Sequence, residues 1–287
     1  MTDNENKVLA CIDGSRYSQS VCDYAAWISR RTGAPLKLLH NIEHQASATT
    51  MDLTGAIGMG SRELLMKELT EIEEQRSKLL LEQGKLMLET ARERAVAAGI
   101  EHPIVKQRHG SLTESLIEME DDIRVLVLGI RGEDHERDNH HLGAHLESTV
   151  RALHKPILVV NSDFKEPERI MLAYDGSDAS GKALEMLARS PLFKGIPVHL
   201  VTVGEDPGTA GKLQHAATEK LQNAGHDVTA VTLDGRPSDE LCRYQAEHNI
   251  DLTLMGAFSH TRLRELVLGS LTAKVLLGAN QPLLLLR

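Results

Sequence analysis

The chain states one pattern twice. Val8-Leu9-Ala10-Cys11-Ile12-Asp13-Gly14-Ser15 returns as Ile170-Met171-Leu172-Ala173-Tyr174-Asp175-Gly176-Ser177. Val125-Leu126-Val127-Leu128-Gly129 returns as Leu252-Thr253-Leu254-Met255-Gly256, and Pro156-Ile157-Leu158-Val159-Val160 as Pro282-Leu283-Leu284-Leu285-Leu286. The order of the three blocks is kept, so the chain is a duplicated domain. A repeat of this length must be read before any local pattern, because it fixes the architecture. It also predicts that the halves pair as the covalent counterpart of a symmetric dimer.

Each half alternates short apolar runs with longer amphipathic stretches. The runs near 8–12, 36–42, 103–107, 124–128 and 157–160 suit strands buried on both faces of a parallel sheet. Helical patterns lie between them near 17–32, 61–98, 112–120 and 143–154. The second half repeats this, with strands near 169–174, 197–203, 227–233, 251–255 and 283–286, and helices near 179–190, 209–224, 238–248 and 269–278. Strand–helix alternation predicts right-handed crossovers and an open, doubly wound sheet in each half. The expected fold is α/β: two tandem five-stranded parallel-sheet domains, 1–163 and 164–287, forming a pseudo-dimer. Asn161 to Glu168, polar and carrying Pro167, reads as the linker. The wholly apolar last strands, Ile157–Val160 and Leu283–Leu286, would be aggregation hazards as free edges. The halves are therefore expected to pack face to face through them.

The halves differ in one place. Asp13 and Asp175 are 162 apart, whereas Gly129 and Gly256 are 127 apart, so about 35 residues are inserted in the first half. The insertion covers about 43–75. Its early part, with Gly55, Gly58 and Gly60, reads as a loop. Its later part extends a helix on which Leu65, Leu69, Ile72, Leu79, Leu86 and Ala95 form one apolar stripe. The plainer reading packs the stripe on the sheet or on the other half. The sharper reading is a helix that binds a partner or forms a homodimer. The charges from Glu68 to Arg76 read as its solvated face.

Of 287 residues, 41% are hydrophobic and 25% charged, with a net charge of −9. That length suits two domains, each with its own core. The acidic balance speaks against nucleic acid or an anionic membrane as the main partner, since both call for a basic footprint. Cys11, Cys22 and Cys242 form no C-x-x-C and read as buried free thiols. Met1 to Lys7 is polar, and no stretch approaches 18 apolar residues, so a reduced, cytoplasmic protein without a membrane span is expected.

Ligands of open parallel sheets bind beyond the carboxyl ends of the strands, where strand order reverses. The residues falling there are informative. After the first strand of each half comes Asp-Gly-Ser. After the fourth comes a glycine turn: Gly129-Ile130-Arg131-Gly132, ten residues and Gly143-Ala144 in the first half, and Gly256-Ala257-Phe258-Ser259, nine residues and Gly269-Ser270 in the second. Glycine admits a phosphate close to the backbone. A helix start supplies N–H groups and the positive end of the helix dipole. Two copies, each after a strand and before a helix, point to nucleotide binding.

By these motifs the chain resembles the universal stress protein family in its tandem form, over nearly its whole length. The family pattern is an Asp at the end of the first strand plus G-x2-G-x9-G-[S/T]. The resemblance implies an adenine-nucleotide alpha-hydrolase-like fold that binds ATP or ADP, with or without Mg²⁺. It places Asp13 and Asp175 near the adenosine, and the backbone of Asn41 and Val203 at the adenine. It assigns the ribose and phosphates to Gly129, Arg131, Gly132, Gly143, Ala144 and His145 in the first half. In the second half it assigns them to Gly256, Ser259, Gly269, Ser270 and Leu271.

Neither half matches fully. The first has Ala144 in place of Ser or Thr and one extra spacer residue. A lost hydroxyl contact costs about 1 kcal/mol, roughly fivefold in affinity. The second has Ser259 in place of the second Gly, which costs roughly 1–2 kcal/mol if the position needs positive φ. The first half is therefore expected to be the better site.

His135, His140, His141 and His145 lie in a polar stretch without cysteine, and read as a solvated loop rather than a metal site. No P-loop, nucleophile elbow or acid–base pair is present, so no catalytic residue is assigned. The sequence thus reads as a stress-associated regulatory protein that binds adenine nucleotide without significant turnover and acts on an unidentified protein partner. The alternatives are an interaction scaffold with degenerate sites and, more weakly, a slow nucleotide hydrolase.

Overall fold

The computed structural model describes residues 6–43, 59–132, 142–204, 207–257 and 269–287. The first half runs β1 (Lys7–Cys11), α1 (Ser18–Thr32), β2 (Leu36–Ile42), α2 (Met59–Ala97), β3 (Ile104–His109), α3 (Leu112–Glu118), β4 (Ile123–Gly129), α4 (Ala144–Ala152) and β5 (Ile157–Val160). The second runs β6 (Ile170–Ala173), α5 (Asp178–Arg189), β7 (Val198–Val203), α6 (Pro207–Asn223), β8 (Val228–Leu233), α7 (Pro237–Glu247), β9 (Leu252–Gly256), α8 (Ser270–Gly278) and β10 (Leu283–Leu286). The alternation read from the sequence is present throughout. β1, β5 and β10 are buried at every position because helices cover both faces of the sheet.

All strands among the described residues lie in one ten-stranded sheet of order β3-β2-β1-β4-β5-β10-β9-β6-β7-β8. Neighbours are parallel except at the centre, where β5 and β10 pair antiparallel through Leu283–Val159, Leu284–Leu158 and Leu285–Ile157. The last strands do join the halves, but edge to edge rather than face to face. Backbone pairing satisfies the N–H and C=O groups of both apolar edges, which face-to-face packing would leave open. One consequence fixes where ligands can go: the strands of the two halves run in opposite directions, so their carboxyl ends lie at opposite ends of the sheet.

Contacts beside the sheet fasten the halves further. The Arg31 guanidinium on α1 donates to the carbonyls of Leu192, at 3.0 Å, and Lys194. Tyr24 meets Phe164 edge-on with ring centroids 4.8 Å apart. The linker is tied down by Asp251, only 3% exposed. Its carboxylate accepts from Lys165 Nζ at 2.6 Å and from the backbone N–H groups of Glu168 and Arg169 at 2.9 and 3.1 Å.

The inserted stripe departs from the plainer expectation. Leu69, Ile72, Leu79 and Leu86 are 42–70% exposed, and the inward face of α2 is instead Gly84, Leu88, Ala91 and Ala95. A helix of 39 residues is roughly 58 Å long at 1.5 Å per residue, several times the length of a strand in this sheet. Only its C-terminal part has sheet beneath it. Among the described residues no helix is long and apolar enough to cross a membrane.

Candidate functional site

In each half strand order reverses between the first and fourth strands, β1/β4 and β6/β9, and a cavity opens there at their carboxyl ends. The Asp-Gly-Ser turns form one wall. Asp13 Oδ1 accepts from Ser15 N at 3.0 Å and from Ser18 Oγ at 2.8 Å. Asp175 Oδ1 accepts from Ser177 N at 3.0 Å. Gly14 and Gly176 have φ of +82° and +76°, a left-handed turn that only glycine makes without strain. Ser177 also caps α5, accepting from Ser180 N at 3.1 Å. Each Asp thus spends one oxygen on its own turn. The other Asp13 oxygen, Oδ2, lies 3.3 Å from where a Cβ on Gly132 would sit, so the two motifs meet across the crevice.

The opposite wall is the start of α4 or α8. Gly143 and Gly269 are their N-caps, and neither helix has a side-chain cap. Gly143 N bonds to Ile130 O at 3.1 Å and Gly269 N to Ala257 O at 3.3 Å, which folds each helix start back onto the glycine turn. Thr272 Oγ1 adds a 3.0 Å bond to Ala257 O. A Cβ on Gly129 would lie 3.0 Å from Tyr17 Cβ, and one on Gly256 would lie 2.7 Å from Ala179 Cβ. These two glycines are therefore required by helix–strand packing, beside any part in a ligand site.

The first cavity brings together Asp13, Asn41, Gly129, Arg131, Gly132, Gly143 and His145. Ala144 opens α4 next to them. The second brings together Asp175, Val203, Gly256, Gly269, Ser270 and Leu271. Ser259 lies outside the described residues, as do His135, His140 and His141. Sequence reasoning missed other wall residues, which include Leu39, Glu43 and Leu112 in the first half and Val201, Pro237 and Leu241 in the second. Leu112 and Pro237 open the helices after β3 and β8, so the strand-end rule could have found them.

The two cavities differ in size and charge. The second is about 340 Å³ and the first about 100 Å³, although the motifs favour the first as a binding site. Glu43 stands in the wall of the first. Its Oε1 accepts from Leu112 N at 2.8 Å, and its Oε2 lies 3.5 Å from His145 Nε2. Asn41 is held beside it, donating to Gly110 O and accepting from Ser115 Oγ at 3.0 Å. Cys11, also in this wall, is pushed up to about 12 by burial and by the Asp13 charge, so it stays a neutral thiol at physiological pH. Among the described residues no group of three or more His, Cys, Asp or Glu is placed to hold a metal.

A family model described as the universal stress protein family matches residues 5–161 and 205–287. A universal stress protein of Synechocystis sp. is 38% identical over 285 residues, 98% of this chain and 99% of that protein. Among solved structures, a universal stress protein from Archaeoglobus fulgidus superposes with a TM-score of 0.75 at 20% identity, covering 99% of this chain and 98% of the other. A protein of unknown function from Pseudomonas aeruginosa superposes at 0.60 with 14% identity, covering 98% and 92%. The last two likenesses carry the fold, a tandem pair joined in one architecture.

Proposed function

The chain belongs to the universal stress protein family, and from that premise we propose that it is a stress-associated regulator that binds an adenine nucleotide, ATP or ADP, at the switch-point cavities. The observation that carries this reading is the second cavity. At about 340 Å³ it falls within the range of small-ligand sites, ~300–1,000 Å³. Its ends are chemically unlike. Val201, Val203, Pro237 and Leu241 line it with apolar side chains suited to adenine. Asp175 stands beside it as an acceptor for ribose hydroxyls. At the far end the α8 start at Gly269 and Ser270 offers N–H groups and a positive dipole end to phosphates.

In the first half Glu43 and His145 stand where those phosphates would enter. This half fills only after their contact opens, so the second half is occupied first. Two such units in one chain, on opposite ends of a sheet, report nucleotide level independently.

The reading is of binding without turnover. Phosphoryl transfer needs a positioned nucleophile, charge stabilisation and, as a rule, metal ions bridging the phosphates. Among the described residues, the cavity walls supply binding groups but no reacting pair. The site of action is the cytoplasm. Two measurements test this. Native mass spectrometry of the purified protein should show one adenine nucleotide carried over, and phosphate release with Mg²⁺ should stay below roughly 1 per second. A protein that neither carries nor takes up adenine nucleotide supports the scaffold reading instead, and a faster turnover makes it an enzyme.

A further inference from the structure

The outer face of α2 carries large apolar side chains that its own half leaves exposed, although Leu86 also lines a cavity beside α1. The helix carries two apolar seams. The inner seam, Gly84, Leu88, Ala91 and Ala95, is buried against the first half. The outer seam holds Leu69, Ile72, Leu79 and Leu86, at 42%, 61%, 66% and 70% exposure, with Met66 at 52% beside it. At 100° per residue Leu86 points away from Leu88. Where the two seams overlap, then, the outer one cannot turn onto the sheet. Five large apolar side chains on one helix face form a patch rather than scattered surface residues.

The outer seam keeps a period of seven. Leu69, Arg76 and Gln83 take one core position and Ile72, Leu79 and Leu86 the other, at steps of three and four. That is the pattern of a helix that packs on another helix of the same pattern. We propose that α2 is a homodimerisation helix, on which a second copy of this chain docks antiparallel about a two-fold axis near Ser77 and Lys78.

The charges choose the orientation. A parallel pair sets Arg76 against Arg76 of the partner subunit, and brings Glu68 beside Glu73 of the partner subunit, both repulsive. The antiparallel pair sets Leu69 against Leu86 of the partner subunit and Arg76 against Leu79 of the partner subunit. It also brings each Arg76 guanidinium within reach of Glu82 of the partner subunit. The same patch serves both copies, as a two-fold interface requires. The β5–β10 pairing is already used inside the chain, so this dimer leaves the sheet and both cavities untouched.

The test is sedimentation of the full chain over a dilution series. The wild type should sediment as two chains. Ile72→Glu with Leu79→Glu should give single chains, with association weakened by at least about tenfold. Because both side chains are exposed, circular dichroism and the thermal midpoint of the diluted, single-chain protein should match wild type. Arg76→Glu and Glu82→Arg should each weaken the dimer, and the double charge swap should restore it. A wild type that is monomeric at every concentration overturns the proposal, whether its own chain or another protein covers the stripe. A dimer insensitive to Ile72→Glu with Leu79→Glu also overturns it. A dimer that the double swap fails to restore overturns the antiparallel register.

Discussion

The Glu43 carboxylate lies 3.5 Å from His145 Nε2 while its other oxygen accepts the N–H of Leu112 at 2.8 Å. One side chain after the end of β2 thus spans from α3 to the start of α4 in the wall of the first cavity. A negative charge there opposes nucleotide phosphates. At ~5 Å and an effective dielectric of about 20, like unit charges cost about 3 kcal/mol before solvent screening, and Glu43 is partly exposed, so the felt cost is smaller. Glu43→Gln removes the charge and keeps an acceptor for Leu112. Its first-half affinity for ATP should rise by roughly tenfold, with second-half affinity unchanged. Calorimetric titration resolves the two; no gain in the first half means that Glu43 does not guard the site.

A half-buried histidine, His199, sets an acid limit on stability. His199 Nδ1 and the Tyr244 hydroxyl are 2.8 Å apart, and the His248 ring stacks on Tyr244 at 3.9 Å. Burial lowers the His199 pKa, helped by the charges of His248 and Arg169 and opposed by Asp227. The folded state therefore binds fewer protons than the unfolded state near and just below the ordinary histidine pKa. Stability rises with pH in that window and is lost as pH falls through it. His199→Asn keeps a polar partner for Tyr244 and removes the titration. Between about pH 7 and pH 5 its thermal midpoint should fall less steeply than that of the wild type. Parallel slopes would mean that His199 titrates as it does in the unfolded chain.

Thiol reactivity should follow burial. Cys11 and Cys22 are both pushed up to about 12 by desolvation, reinforced by Asp13 and Asp23 respectively. Half-buried Cys242 is also raised by desolvation. Only the thiolate reacts with iodoacetamide. In native protein near pH 8, peptide mass spectrometry should find Cys242 labelled first and Cys11 and Cys22 labelled only on unfolding. Rapid native labelling of Cys22 would mean that α2 lifts away from α1.

The duplication made most of this architecture legible, because a strand buried on both faces is a continuous apolar run and needs no context to be seen. The Asp-Gly-Ser and glycine turns followed from the same repeat plus one topological rule, and the other candidate site residues from the resemblance to the family. Three features were not legible. Glu43 carries no motif, and its partner is His145, far along the chain and on another strand's helix. The direction in which Ile72 and its neighbours face was hidden too: the spacing of Leu69, Ile72 and Leu79 gives a stripe, but whether sheet lies beneath it depends on where β2 and β3 end. The edge-to-edge join followed from hydrogen-bond pairing, which an apolar run does not encode.

The two sites can be separated by substitutions at equivalent places. In the first half a side chain on Gly132 would enter the gap to Asp13 Oδ2, 3.3 Å from the new Cβ. Gly132 is not among the residues with positive φ, so Gly132→Val fills the crevice without backbone strain. In the second half Ser270 is exposed in the first turn of α8. Ser270→Glu places a carboxylate where the helix dipole welcomes it, so the fold should be kept. The same carboxylate meets incoming phosphates and should weaken ATP by at least about tenfold while adenosine, which carries no phosphate, binds nearly as before. Measured by calorimetry on the full chain, each variant should remove one of two binding events, and the two together should remove both. Equal loss of ATP and adenosine in Ser270→Glu would place the phosphates elsewhere than at the start of α8, and ATP binding that survives the double variant would remove both cavities as the nucleotide sites.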